Sequence, residues 1–299
     1  MKKPAKPILL WHKVRRARPG SIKKLPLTVG GQVIGRESPN YHDTIQINYL
    51  GAGGYLIKRG DDAILTAPFF SNPSLRRMLL GRIECHVEEV DRFLAPLSQE
   101  IKDVEAILVG HAHYDHLMDV PHLAQRYAQK AKIYGNQTMA HILAPLFPSG
   151  SGRLVPLDGD AATQETSGKW YYTNENRIRF MAIGSEHAPQ FMGKDFYKGE
   201  QKAVLKKLPD KASGWKGGKV LAFLIDFMDG EGIKPEFRIH YQDAASQHPA
   251  GFPPLFSGPE RGNTVDLAIL CVAGFIEVSS YPEELISSLN PRFLILGHW

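Results

Sequence analysis

A mixed α/β (α+β) fold, with two β-sheets packed together and helices on the outside, is predicted by the order of apolar segments. Three observations predict it. From Thr44, short apolar runs alternate with tight turns. From Glu105 to Ala144, apolar strands alternate with helical spacing. From Trp170, strands return, and the chain closes on a strand–helix–strand unit.

TIQINYL (44–50) alternates apolar and polar residues and is followed by GAGG. YLIKRG and DAILTAP complete three antiparallel-type strands with tight turns. GAGG lacks the third glycine of a dinucleotide-binding turn and precedes a strand instead of a helix, so that function is excluded. EAILVG (105–110) is a continuous apolar run suited to a buried strand. Leu117 to Lys130 has helical spacing, AKIYG (131–135) is a strand, and Thr138 to Ala144 is a helix stopped by Pro145. WYYT, IRFMAIG (178–184), VLAFLIDFM (220–228), FRIHYQ (237–242) and DLAILCVAG (266–274) are strands. Pro282 to Leu289 is a helix, and RFLILG (292–297) is the last strand.

The 299 residues divide into a basic arm, 1–42, and a domain, 43–299. Residues 1–36 carry ten Lys or Arg and no acid, leaving 26 basic against 31 acidic residues in the remainder, so the net charge of +5 belongs to the arm. A solvated tail is the plain expectation. Attraction to an anionic surface is the sharper one, and Ile8, Leu9, Leu10 and Trp11 tilt it towards peripheral membrane contact over nucleic acid. There is no run of 18 apolar residues and no secretory apolar core, so a cytoplasmic or peripheral membrane location is expected. Cys85 and Cys271 have no CxxC neighbour. Cys271 reads as a core thiol and Cys85 as surface or edge structure.

Four strand-like runs end on, or just before, residues that can ligate metal. AILVG leads to His111, His113, Asp115 and His116. RFMAIGSE leads to His187, FRIHYQ to Asp243, and RFLILG to His298. Loops beyond strand ends are rigidly rooted, and four at one edge would converge seven ligands. His111 and His113 point to the same side of extended backbone and can grip one ion, whereas Asp115 and His116 lie where the chain turns and can serve a second. Imidazole with carboxylate suits zinc, or iron or manganese, better than calcium or magnesium. His12, His42, His86, His122, His141 and His248 read as structural or surface groups, and His240, inside a strand, as a packed one.

HAHYDH matches the HxHxDH signature of the metallo-β-lactamase fold superfamily, and the order of the later ligands matches as well. The resemblance runs from about Thr44 to Trp299. It implies a four-layer αββα sandwich and two divalent transition-metal ions, with zinc first. His111, His113 and His187 would hold one ion, Asp115, His116 and His298 the other, and Asp243 would bridge them. The opening strands resemble the subgroup containing N-acylphosphatidylethanolamine-hydrolysing phospholipase D. Two departures stand out. Ala67 precedes Pro68 where many members carry an aspartate, which would remove a contact to a ligating histidine, and the chain stops one residue after His298 where relatives continue.

The implied activity is a metal-dependent hydrolase in which a bridging hydroxide attacks phosphorus or a carbonyl, Asp115 orienting it and moving a proton to the leaving group. A phosphodiester, phospholipid-like substrate is the first reading and a carboxylic ester or lactone the alternative. A non-catalytic metal- or nucleic-acid-binding protein is disfavoured by the complete ligand set. A nuclease with a large inserted domain is disfavoured because 54 residues separate Asp243 from His298, and an oxygen-reducing di-iron relative would carry a carboxylate in place of His113. The 32-residue stretch after His187 (188–219) holds Phe191, Met192, Phe196, Tyr197, Trp215 and eight lysines, and reads as a lid over an anionic, partly apolar substrate. Phe191, Phe196, Tyr197 and Tyr114 are the candidate substrate-binding residues, although Tyr114 fits better as a packing ring.

Overall fold

The structure, a computed structural model, describes residues 43–189, 196–255 and 264–298. The basic arm, Phe191 and Met192 therefore lie outside the described residues. The first sheet contains β1 (Ile45–Tyr49), β2 (Tyr55–Arg59), β3 (Asp62–Thr66), β4 (Ala106–Leu108), β5 (Lys132–Gly135) and β6 (Leu154–Pro156), in that order. The second contains β7 (Trp170–Thr173), β8 (Ile178–Ser185), β9 (Val220–Met228), β10 (Pro235–Gln242), β11 (Leu267–Cys271) and β12 (Phe293–Gly297), again side by side in chain order. Each sheet starts antiparallel and ends parallel, changing at β3 in the first and at β10 in the second.

Strand alternation explains the layers. On β9, Leu221, Phe223, Ile225 and Phe227 face the core between the sheets, while Ala222 and Leu224 face an outer core. On β4, Ala106 and Leu108 face inward and Ile107 outward. Both faces are covered, so these strands read as unbroken apolar runs instead of alternating ones. Each such fully buried side chain contributes roughly 1.5–3 kcal/mol, and Leu224→Ala would cost about 2–5 kcal/mol.

The outer layer of the first sheet is built from α1 (Leu75–Leu80), α2 (Val87–Leu94), α3 (Ser98–Ile101), α4 (Tyr114–Leu117), α5 (Val120–Arg126) and α6 (Gln137–Leu143). α7 (Glu283–Leu289) covers the second sheet through Leu285 and Leu289. The four-layer αββα sandwich is thus the observed arrangement. α2 packs Val90 and Leu94, one turn apart, inward and leaves Glu88 and Glu89 in its first turn, where the helix dipole favours acids.

Several expectations are corrected. The helix expected over 117–130 is shorter: Leu117 closes α4, and α5 begins after Asp119 with Pro121 in its first turn and ends at Arg126. α1, α2, α3 and β6 carry too short or irregular a pattern to be assigned from sequence. Cys85 is half-buried against the outer core of the first sheet, and burial, then Asp119, pushes its thiol up. Cys271 is buried, as expected. His122 pairs with Asp91 at 2.6 Å, and His240 is buried with Nε2 2.8 Å from the Gly251 carbonyl, a packed group as expected.

β8 and β10 both run antiparallel to β9, and β12 runs parallel to β11 and β10, so β8, β10 and β12 end at one edge. The chain after β4 meets that edge, because the Leu221 amide at the start of β9 donates to the Gly110 carbonyl at 2.8 Å.

Candidate metal centre

His111 and His113 follow β4, Asp115 and His116 lie in α4, and His187, Asp243 and His298 follow β8, β10 and β12. The structure brings all seven together as three overlapping groups: His111, His113 and His187; His111, His116 and Asp243; Asp115, His116 and His298. Within each group the ligand atoms lie within 4.8 Å of one another. Asp243 stands between the outer two, its Oδ1 3.2 Å from His111 Nδ1 and its Oδ2 3.1 Å from His116 Nδ1. On the other side, Asp115 Oδ2 is 3.4 Å from His298 Nε2 and 3.7 Å from His116 Nε2.

Burial and hydrogen bonding test whether these residues suit a cation. His111, His116 and Asp243 are fully or almost fully buried, and His113 nearly so. Nε2 of His111, Nε2 of His113, both ring nitrogens of His116 and Oδ2 of Asp243 are buried with no hydrogen-bond partner, since the close approach of His116 to Asp243 is misaligned for one. Stranding so many polar atoms is expensive, and a cation ligated by them removes the expense. The two histidines from the second sheet are oriented for the same purpose. His187 Nδ1 donates to the Ala188 carbonyl at 2.6 Å and His298 Nδ1 to the Asp243 carbonyl at 3.0 Å, which leaves each Nε2 for the centre. The donor set, imidazole with carboxylate, suits divalent transition metals.

Electrostatics agree. Burial alone would raise Asp243 and Asp115, yet the neighbouring histidines, His116 foremost, hold both carboxyls well below the usual range. Burial depresses His111 strongly, His113 to about 4, and His187, which keeps these rings neutral ligands at neutral pH. Burial also opposes charge on His298, but Cys271 and the Asp115 carboxylate outweigh it and raise that ring well above its ordinary value.

Residues far from the motif shape the cavity. A Cβ on Gly110 would overlap the Asp243 carboxylate, and one on Gly217 would lie 2.9 Å from His113 Nε2. Gly217 is tied down from three directions: Ala112 N donates to its carbonyl at 2.8 Å, Asn136 Nδ2 does the same at 2.8 Å, and its own amide donates to the Tyr197 carbonyl at 3.2 Å. Gly217, Gly110 and Asn136 carried no signal in the sequence beyond glycine's licence for close approach.

The stretch after His187, expected as a lid, is described from Phe196 onward. Residues 197–219 pack against the domain as a wall: Trp215 is buried, Gly218 N donates to the Gly199 carbonyl, and Leu205 N donates to the His141 carbonyl. Tyr197 holds His113 through a backbone hydrogen bond, its ring 6.5 Å from the imidazole. Phe196 is exposed and leans on Tyr197. Tyr114 is a packing ring, edge-on to Phe69 with its hydroxyl donating to Met78 Sδ at 3.2 Å. Ala67 is buried and supplies no carboxylate. Instead Asp119, fully buried, accepts from Phe70 N at 2.7 Å and Ser71 N at 2.9 Å and anchors the loop after β3.

Residues 64–193 match the family model described as Beta-lactamase superfamily domain. No curated protein matches the chain by sequence. Among solved structures it is similar to Igni18, a metallo hydrolase from the archaeon Ignicoccus hospitalis KIN4/I, at 15% identity and TM-score 0.46, over 85% of this chain and 82% of that one. It is also similar to the metallo-beta-lactamase fold protein YhfI from Bacillus subtilis, at 12% identity and TM-score 0.45, over 86% and 87% of the two chains. Among the described residues, no helix is long and apolar enough to cross a membrane.

Proposed function

We propose that this chain is a metal-dependent hydrolase of the β-lactamase superfamily with a two-ion centre, acting on a phosphodiester of phospholipid-like character. The observation that supports it is the pair of outer ligand groups linked by His111, His116 and Asp243, with five buried ligand atoms left without hydrogen bonds. Two divalent ions, zinc first, would be held by His111, His113 and His187 and by Asp115, His116 and His298, with Asp243 common to both. Bound there, they would supply an acidified water and polarise the oxygen of the electrophile.

The two aspartates are suited to different work. Asp243 has no exposed side-chain surface and can only join ligands, whereas Asp115 keeps 25% of its side chain exposed and can reach a reacting molecule. As a carboxylate, Asp115 accepts a hydrogen bond from the attacking water and orients it. The water oxygen bonds to phosphorus, the bond to the leaving oxygen breaks, and Asp115 relays the water's proton to that oxygen. The lysine-bearing wall after His187 favours an anionic substrate over a neutral ester or lactone.

Purified protein is expected to contain about two divalent ions per chain, measured by plasma mass spectrometry, and to cleave bis-(p-nitrophenyl) phosphate only when metal is present. Turnover of a lactone or carboxylic ester with no phosphodiester cleavage would transfer the assignment to the ester reading. Metal-loaded protein inert towards all three would end the hydrolase reading.

A further inference from the structure

α1 is a helix with no buried residue, yet three of its six positions are leucine. Leu75, Leu79 and Leu80 are 61%, 64% and 87% exposed. Between them stand Arg76 and Arg77, both exposed, and among the described residues neither forms an ion pair. The chain from Ser71 to Ile83 holds three arginines and no acid. A water-facing helix gains nothing from such leucines, and clustered apolar exposure marks an interaction surface.

The surroundings extend the pattern. The Ile83 amide donates to the Asp210 carbonyl at 2.9 Å, and Arg82 Nε lies 3.5 Å from the Asp210 carboxylate. These contacts hold Asp210 beside the end of α1, and exposed lysines flank it in the chain, Lys206 and Lys207 before it and Lys211 directly after. On its inner side, Met78 of α1 touches Tyr114, which stands between the ligands His113 and Asp115. The surface is therefore one side chain away from the metal centre.

We infer that α1 and this basic rim dock the protein on an anionic phospholipid bilayer, the leucines entering the acyl boundary and the arginines and lysines meeting the head groups. Leucines and basic residues interleaved on one short surface complement both layers of an anionic membrane at once. The chain's own N-terminal segment does not complement it, because residues 1–36 carry ten basic residues and no acid and would meet like charge. The docking stands whether or not the centre hydrolyses a phospholipid.

The test is flotation of the full chain with vesicles of phosphatidylcholine alone and of phosphatidylcholine mixed with phosphatidylserine. Binding is expected only to the mixed vesicles and should weaken as salt shortens the screening length from about 10 Å at 0.1 M to about 3 Å at 1 M. Leu79→Ser with Leu80→Ser, and separately Arg76→Gln with Arg77→Gln, should each lower partitioning about tenfold, with metal content and thermal midpoint unchanged. Binding that survives both pairs, or no binding by the unsubstituted chain, overturns the inference. So does concentration-dependent dimerisation lost on the leucine substitutions without vesicle binding, which would make the face a contact between two copies.

Discussion

The two sheets contribute to the metal centre in opposite ways. The first supplies His111, His113, Asp115 and His116 from the loop after β4 and the start of α4, within six residues. The second supplies His187, Asp243 and His298 from three separate strand ends, 56 and 55 residues apart. The first contribution is local and survives in a short peptide pattern. The second exists only because β8, β10 and β12 end at one edge. The histidines from the second sheet are held from behind by main-chain carbonyls, whereas His111 and His116 lean on Asp243. Asp243 is thus the member on which both halves depend.

Removing that member should break the comparison most severely. Asp243→Ala is expected to reduce phosphodiester cleavage by about three orders of magnitude, roughly 4 kcal/mol of barrier. It should bring metal content below one ion per chain, while His187→Ala or His298→Ala should each remove about one ion and leave the other half loaded. Equal metal loss in all three would show that the halves do not load separately.

Next in size is a pH effect seated in the second sheet. Burial depresses His240 to about 4 from an ordinary 6.5. Folding therefore favours its neutral form. That contribution is complete above pH 6.5 and is lost as pH falls from 6.5 through 4, on the order of 3 kcal/mol in all. Denaturant titrations of the unsubstituted chain and of His240→Gln should diverge across that window, the variant showing the shallower acid loss. Parallel profiles would mean that His240 does not titrate against folding.

Gly217→Ala probes how the wall from the second half fixes a ligand of the first. A Cβ 2.9 Å from His113 Nε2 must displace the ring, and activity should fall about 10- to 100-fold with the thermal midpoint little changed. Tyr114→Phe is the smallest effect. Its hydroxyl meets only the sulfur of Met78 in the hydrogen bonds described, so turnover should change by less than about threefold. A larger loss would place the hydroxyl at the substrate.

Much of the fold was legible in order. β1 to β5 and β7 to β12 fall where apolar runs predicted them, and the seven ligand positions follow from strand ends. What escaped was of two kinds. α1 has no buried residue and turns only Met78 inward, so no apolar periodicity marks it, and α3 is a single turn. The residues that shape the centre act across long separations: Asn136 reaches Gly217 over 81 residues, and Asp119 reaches Ser71 over 48. The stretch after His187 looked like a lid because its composition is basic and aromatic. Composition does not disclose that Trp215 is buried and Gly217 is pinned on three sides.

The order of residues settles side-chain alternation along each strand, the density of donors after β4 and the chemistry those donors can perform, because each depends on neighbours a few bonds apart. Packing of the two sheets settles the rest. It selects which lone aspartate joins the two histidine groups, which glycine leaves room for a ring, and which tyrosine is spent on packing, because those contacts form only when strands more than fifty residues apart come to share one edge.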